Sequence, residues 1–211
     1  SATDSGTIGN IGTLANTVAL SIGETPGTGF SFAGSLDEFR IYDRVFSAEE
    51  VNVLYNQTAA TGVDTSLRGY WSFNAPDTPG TTAYDRSGAR NTGTLTNGPA
   101  KGIGRIGQAL TLDGTNDYVT MSDIAALDGL TAVTASAWVK TTVLGVEKHI
   151  VNKANCGGTT DSGVFELFGG FSAVSKPEFA FYKSGGSPNT YNAVSSVSID
   201  DGNWHLVTGT Y

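Results

Sequence analysis

Residues 30–56 read FSFAGSLDEFRIYDRVFSAEEVNVLYN, and two periodicities meet inside them. Through LDEFRIYDR the apolar residues alternate, so Phe39 and Ile41 share one face of an extended strand. Asp37 has the same parity at the start of that strand, which predicts a carboxylate facing the core. A buried bare charge is costly, so such a group needs a partner. At Ser47 the period changes. Ser47 and Glu50 have the Ser-x-x-Glu spacing of a capping box, and Val51, Leu54 and Tyr55 follow at i, i+3 and i+4. This spacing predicts one short helix near 48–55.

The same alternation recurs on both sides of this stretch. Val18, Leu20 and Ile22 form a stripe; so do Trp71 with Phe73, Leu110 with Leu112, and Val119 with Met121. Val133, Ala135, Ala137 and Val139 make the longest run, and Phe165 with Leu167, Phe179 with Phe181, and Trp204 with Leu206 complete the set. Gly, Asn and Asp separate them. Roughly ten or more short strands divided by turn signals are the pattern of an all-β sandwich. Residues 56–67, NQTAATGVDTSL, are polar and aperiodic and read as a linker.

Composition agrees. Of 211 residues, 28 are glycine and only 15% are charged, so the surface is rich in hydroxyls and amides rather than ions. The net charge of −8, with no basic run, argues against nucleic acid as partner. No stretch approaches the ~20 apolar residues of a membrane span, so membrane insertion is not expected. The one cysteine, Cys156, has no partner for an internal disulfide and reads as a free thiol.

Together these segments resemble the laminin-G-like, concanavalin-A-like jelly rolls of bacterial surface proteins. The opening strand GYWSFN (69–74), the turn YDRSGARNTGTL (84–95), GQALTLDGTNDYVTM (107–121), LTAVTASAWVKT (130–141), NWHLVTGTY (203–211) and the closing FAGSLDEFRIYDRVFSAEEVNVLYN (32–56) carry the likeness. Their order departs from it. Residues 1–56 resemble the family's C-terminal part and precede 68–211, which resemble its N-terminal part, with 57–67 between them. A hairpin strand that usually follows the NWHLVTGTY type is missing. Two explanations stay open: one circularly permuted jelly roll over 1–211, which we favour, or a slice through a tandem array. With a strand missing, the edges at Val18 and Leu20 and at Leu206 and Val207 would face an empty lane open to a partner strand.

Related sandwiches include glucanases with paired acids on one strand. No glutamate here has such a partner on its own strand, and His149 and His205 lack a nucleophile motif, so no enzyme activity is expected. The resemblance implies a structural calcium where opening and closing strands meet, with Asp37, Asn74 and Asp85 as ligands. Asp37 and Asp85 could instead accept turn amides. Trp138 points away from the Ala135–Val139 face, and Tyr182 shares the outward parity, so both are candidate sugar-stacking platforms. The alternative for Trp138 is that a loop folds over it. GIGRIG (102–107) precedes a strand rather than a helix and reads as a turn, not a dinucleotide fingerprint. The expected function is an extracellular, non-catalytic recognition or adhesion module for a glycan or surface protein. The alternatives are a split jelly roll that captures a β-strand peptide, and a spacer repeat of a tandem adhesin.

Overall fold

Most of the alternating stretches form strands. The computed structural model describes residues 17–57, 64–145, 147–155, 162–169, 176–182 and 190–211, so Cys156 lies outside the described residues. The strands are β1 (Ser21–Ile22), β2 (Ala33–Tyr42), β3 (Leu67–Trp71), β4 (Thr82–Ala83), β5 (Gly93–Thr96), β6 (Ala100–Ile103) and β7 (Gln108–Asp113). They continue with β8 (Tyr118–Thr120), β9 (Thr134–Lys140), β10 (His149–Asn155), β11 (Ser162–Gly169), β12 (Pro177–Tyr182), β13 (Thr190–Val194) and β14 (His205–Thr210). Helix α1 spans Ala48–Asn56. Its capping box is complete: the Ser47 backbone N–H donates to Glu50 at 2.8 Å, and the Glu50 N–H donates to the Ser47 hydroxyl at 3.3 Å. No helix among the described residues is long and apolar enough to cross a membrane.

Two antiparallel sheets stack face to face. One runs β13-β12-β11-β10-β1-β8-β5-β4; the other runs β14-β9-β2-β7-β6, with β3 also paired to β2. Residues 17–57 contribute to both. β1 lies between β10 and β8, and β2 lies between β9 on one side and β7 and β3 on the other. The core between the sheets holds Leu20, Ile22, Phe39, Ile41, Trp71, Phe73, Val139, Phe165, Phe181 and their neighbours. Trp71 stacks on Phe39 with ring centroids 5.6 Å apart, in space left by the bare Cα of Gly69 two residues before it.

One expectation about sides is corrected. Asp37 does not share the face of Phe39 and Ile41. Glu38 adopts φ 54°, and the β2–β9 register shifts between Asp37 and Arg40, so a β-bulge reverses parity there. Upstream of the bulge Leu36 opposes Val139 in the core, while Asp37 opposes Trp138 on the outer face. In β14 the core-facing residue is Val207, with Gly209 closing on the Phe179 ring. Leu206 instead joins Tyr42, Phe46 and Leu54 beneath α1. The Trp204–Leu206 stripe is therefore the helix-facing side of the strand.

The two edges predicted to border one empty lane lie in different sheets. β1 has a strand on each side, the Leu20 carbonyl accepts the Met121 N–H at 2.9 Å, and the Val18 carbonyl accepts the buried Lys153 ammonium at 3.1 Å. Val18 and Leu20 form no open edge. Among the described residues, β14 is the last strand of its sheet. Val133 and Tyr211 exchange N–H···O bonds at 2.8 Å each, which fixes the odd residues as those bonded to β9. Val207 is thus spent on β9, and the outward backbone groups belong to Leu206, Thr208 and Thr210.

Candidate functional site

The outer face of the β14-β9-β2 sheet carries a second layer of side chains under α1. Tyr42 and Phe46 meet with ring centroids 4.4 Å apart, and Leu54 packs with them. Trp138 sits on the predicted face but is only 1% exposed. Tyr55 of α1 covers it at a centroid distance of 5.2 Å, and the Arg105 guanidinium lies 4.8 Å from its centroid. No ring face remains for a sugar, so the stacking platform expected at Trp138 is corrected. Tyr182 closes β12, and its side chain lies outside the described residues.

Beside this layer, between α1, β2 and β3, a cavity of about 520 Å³ opens. Its lining includes Arg40, Tyr42, Arg44, Glu50, Tyr70 and Arg86. Pockets of roughly 300–1,000 Å³ with aromatic walls and a few polar groups are the usual size and chemistry of small-molecule sites. At its floor, Arg40 pairs with Glu38, and its guanidinium lies 4.5 Å from the Tyr70 ring centroid. The Tyr70 hydroxyl donates to Glu38 at 2.8 Å. Burial raises the Glu38 carboxyl above its usual range, opposed by Arg40; burial and the Glu38 charge together raise the Tyr70 phenol. Both groups are held as hydrogen-bonding partners rather than as proton carriers.

Arg86 is the wall between this cavity and a shallower one of about 390 Å³, lined by Pro76, Tyr84, Asp85, Arg86, Arg90 and Thr92. Its Nε donates to Asp77 at 2.6 Å, and Asp77 also accepts from Ser72. Sequence reasoning passed over these arginines because it searched for acids and aromatics. Arg40 and Tyr42 were legible as the outward half of the β2 alternation.

The expected calcium ligands separate. Asp85 accepts three backbone amides, from Tyr70 at 2.9 Å, Ser87 at 2.8 Å and Asn91 at 2.9 Å. Asp37 and Asn74 do converge, on the Gly104–Gln108 turn that joins β6 to β7. Asp37 Oδ2 accepts the Ile106 N–H, and Asn74 Oδ1 accepts the Gln108 N–H, both at 2.8 Å. Asp37 Oδ1 and Gln108 Oε1 are buried without a hydrogen-bond partner. Two orphaned oxygens, one of them on the Asp37 carboxylate, fit part of a calcium shell, which takes 6–8 oxygens. The Trp138 Nε1, a donor on the residue opposite Asp37, is also unpartnered. No group of three or more His, Cys, Asp or Glu placed to hold a metal occurs among the described residues. Burial pushes the Asp37 carboxyl up to about 7, against the lowering effect of the Ile106 amide.

The outer face of the other sheet holds a polar row. Glu166 and Glu178 stand on adjacent strands with registers Glu166–Ala180 and Phe168–Glu178, so they share a face. Asn152 donates to Glu166 and Asn192 donates to Glu178. His149, contacted by Thr25 and 3.9 Å from Glu166, is pulled down to about 4 by burial and the Lys148 charge, so it is neutral at pH 7. A search along single strands does not find this cross-strand pair. Both carboxylates are at most 1% exposed, which gives no route to solvent.

A laminin-G-type model of the concanavalin A-like lectin/glucanases superfamily matches residues 1–52 and 113–211. No curated protein and no solved structure is matched by the chain. The matched blocks take in β1, β2, α1's first turns and every strand from β8 onward, which is most of the chain, six of the eight strands of one sheet and three of the six of the other. By this match, and by its two stacked antiparallel sheets, the chain belongs to the concanavalin A-like lectin/glucanases superfamily.

Proposed function

We propose that the chain is an extracellular recognition module that binds a glycan or a surface protein without chemical turnover. Laminin-G-like domains are typically non-catalytic, commonly extracellular, and bind carbohydrate or protein. The observation that carries the reading is the pair of adjoining cavities sharing Arg86 as a wall and lined by tyrosine and arginine side chains. Rings offer flat apolar area, and arginine offers fixed donors for hydroxyls and carboxylates. We read residues 1–211 as one jelly roll in permuted order, supported by the central place of β2 between β9 and β7. The test is a glycan array probed with the intact chain and with Arg86→Ala. A glycan bound by the wild type and weakened about tenfold or more in the variant supports the reading. An array on which both proteins stay at background removes the glycan half of it.

A second reading, strand capture, is favoured by the β14 edge. HLVTGT has no charged residue other than the titratable His205, no proline and no bulge, the usual guards of an exposed edge. An extended peptide with alternating apolar residues is expected to pair with Leu206, Thr208 and Thr210 and to raise the melting temperature. If saturating peptide leaves the melting curve unchanged, strand capture is excluded.

A further inference from the structure

We infer that the closed space between Asp37 and Trp138 holds one bridging water molecule, and that these residues do not hold the calcium ion that the family resemblance implies.

The space exists because of the bulge in β2. The bulge turns Asp37 to the outer face, where it stands opposite Trp138 of β9. Side chains directly opposite on one face of a sheet have Cβ atoms about 4.5–5.5 Å apart, close enough for one water to bridge their polar ends. Asp37 is fully buried and Trp138 nearly so. Asp37 Oδ2 is spent on the Ile106 amide. Asp37 Oδ1 and Trp138 Nε1 are each buried without a hydrogen-bond partner. The first is an acceptor, and the second is a donor only. Buried polar groups are almost always paired, with protein or with ordered water. A water that accepts from the indole and donates to the carboxylate satisfies both. Its second hydrogen remains for Gln108 Oε1, the other orphaned acceptor at the end of the 104–108 turn. A Cβ on Gly104 would lie 2.6 Å from Asp37 Oδ2 and 2.8 Å from the Gln108 carbonyl carbon, so glycine is what lets this turn close on Asp37.

Calcium does not suit the same space. The orphaned oxygens supply only part of its shell of about 6–8 oxygens. Of the expected ligands, Asp85 is spent on the amides of Tyr70, Ser87 and Asn91, and Asn74 Oδ1 on the Gln108 amide. What surrounds the Asp37 carboxylate is the indole N–H, the amides of Ile106 and Arg105, and the Arg105 guanidinium, 4.8 Å from the indole centroid. All of these carry positive charge or the positive end of a dipole, which repels a dication. A neutral ligand that both donates and accepts fits them.

The test has two arms, both on the intact chain. In the first, NMR measures cross-relaxation between water and each indole N–H. The Trp138 resonance, assigned from its NOEs to the Tyr55 ring, is expected to show a water cross-peak with the sign of a bound molecule rather than of proton exchange. In the second, thermal unfolding is followed at pH 8 with calcium or with chelator, for the wild type and Asp37→Asn. The Asp37 carboxyl is ionised above about 7, which gives calcium its best case. A calcium site filled at about 100 times its dissociation constant would raise the melting temperature by about 5–10 °C. The expected shift is none. Terbium, a calcium mimic excited through a neighbouring indole, is expected to give no saturable emission. A calcium shift or a terbium emission that is present in the wild type and lost in Asp37→Asn overturns the proposal. So does a Trp138 indole with no water cross-peak. Neither arm needs a substitution at Trp138, whose loss endangers the fold.

Discussion

Trp138→Ala lowers the unfolding free energy by about 3–5 kcal/mol, the range for truncating a buried aromatic side chain. Domains of this size have roughly 5–15 kcal/mol in total, so the variant stands near the edge of folding. Trp138 is 1% exposed, lies opposite both Asp37 and Leu206 in its sheet, and forms the floor on which Tyr55 of α1 rests. Its removal opens a cavity and releases the helix end that bounds the larger pocket. Urea denaturation of the two proteins measures the effect. Tyr55→Ala should cost only a fraction as much, because Tyr55 is 49% exposed. A loss below about 1 kcal/mol in Trp138→Ala would mean that the indole is not a structural support.

Asp37→Asn raises stability at alkaline pH by as much as about 4 kcal/mol. The Asp37 carboxyl moves from an ordinary 3.8 to about 7 on folding. Between these values the folded state keeps a proton that the unfolded chain has released. Stability from this group is therefore full below the unfolded value and declines as pH rises to about 7. Asparagine cannot ionise and keeps an oxygen for the Ile106 amide, so the variant escapes the decline. Denaturant midpoints across pH 4–8 should show two curves that meet at the acid end and diverge above. His149 weakens both proteins on acidification, because its folded value lies below its unfolded one; that loss cancels in the comparison. Curves that stay parallel would sink the assignment. Calcium supplies a second arm: if the Asp37 carboxylate holds the ion, added calcium stabilises the wild type at pH 8 and not the variant.

The fold was legible because its signals are local. The alternation in LDEFRIYDR, the Ser47–Glu50 box and the glycine-punctuated turns each depend on near neighbours. The site was less legible because it depends on parity and on layers. Counting by twos from Phe39 back to Asp37 gave the wrong face, since nothing in the letters D-E-F announces that Glu38 will take a left-handed φ. Trp138 was placed on the correct face, but Tyr55, 83 positions earlier, covers it, and no pattern along either segment reveals that meeting. The GIGRIG turn was dismissed as mere connection, yet Asp37 and Asn74 both end on its amides. The arginine cavities draw on α1, β2, β3 and the 85–91 turn, and only the assembled sheet brings these together.

The bulge in β2 behaves like a shifted reading frame. Residues 33–36 pair with β7 and residues 39–42 pair with β3, so one strand serves two neighbours in succession, and the extra residue is the hinge between them. Deleting Glu38 would restore a regular pleat with Leu36, Phe39 and Ile41 still between the sheets and Asp37 and Arg40 still outside, so every remaining residue keeps its face. The extra residue is what lets odd-numbered Asp37 face outward while odd-numbered Phe39 and Ile41 face the core.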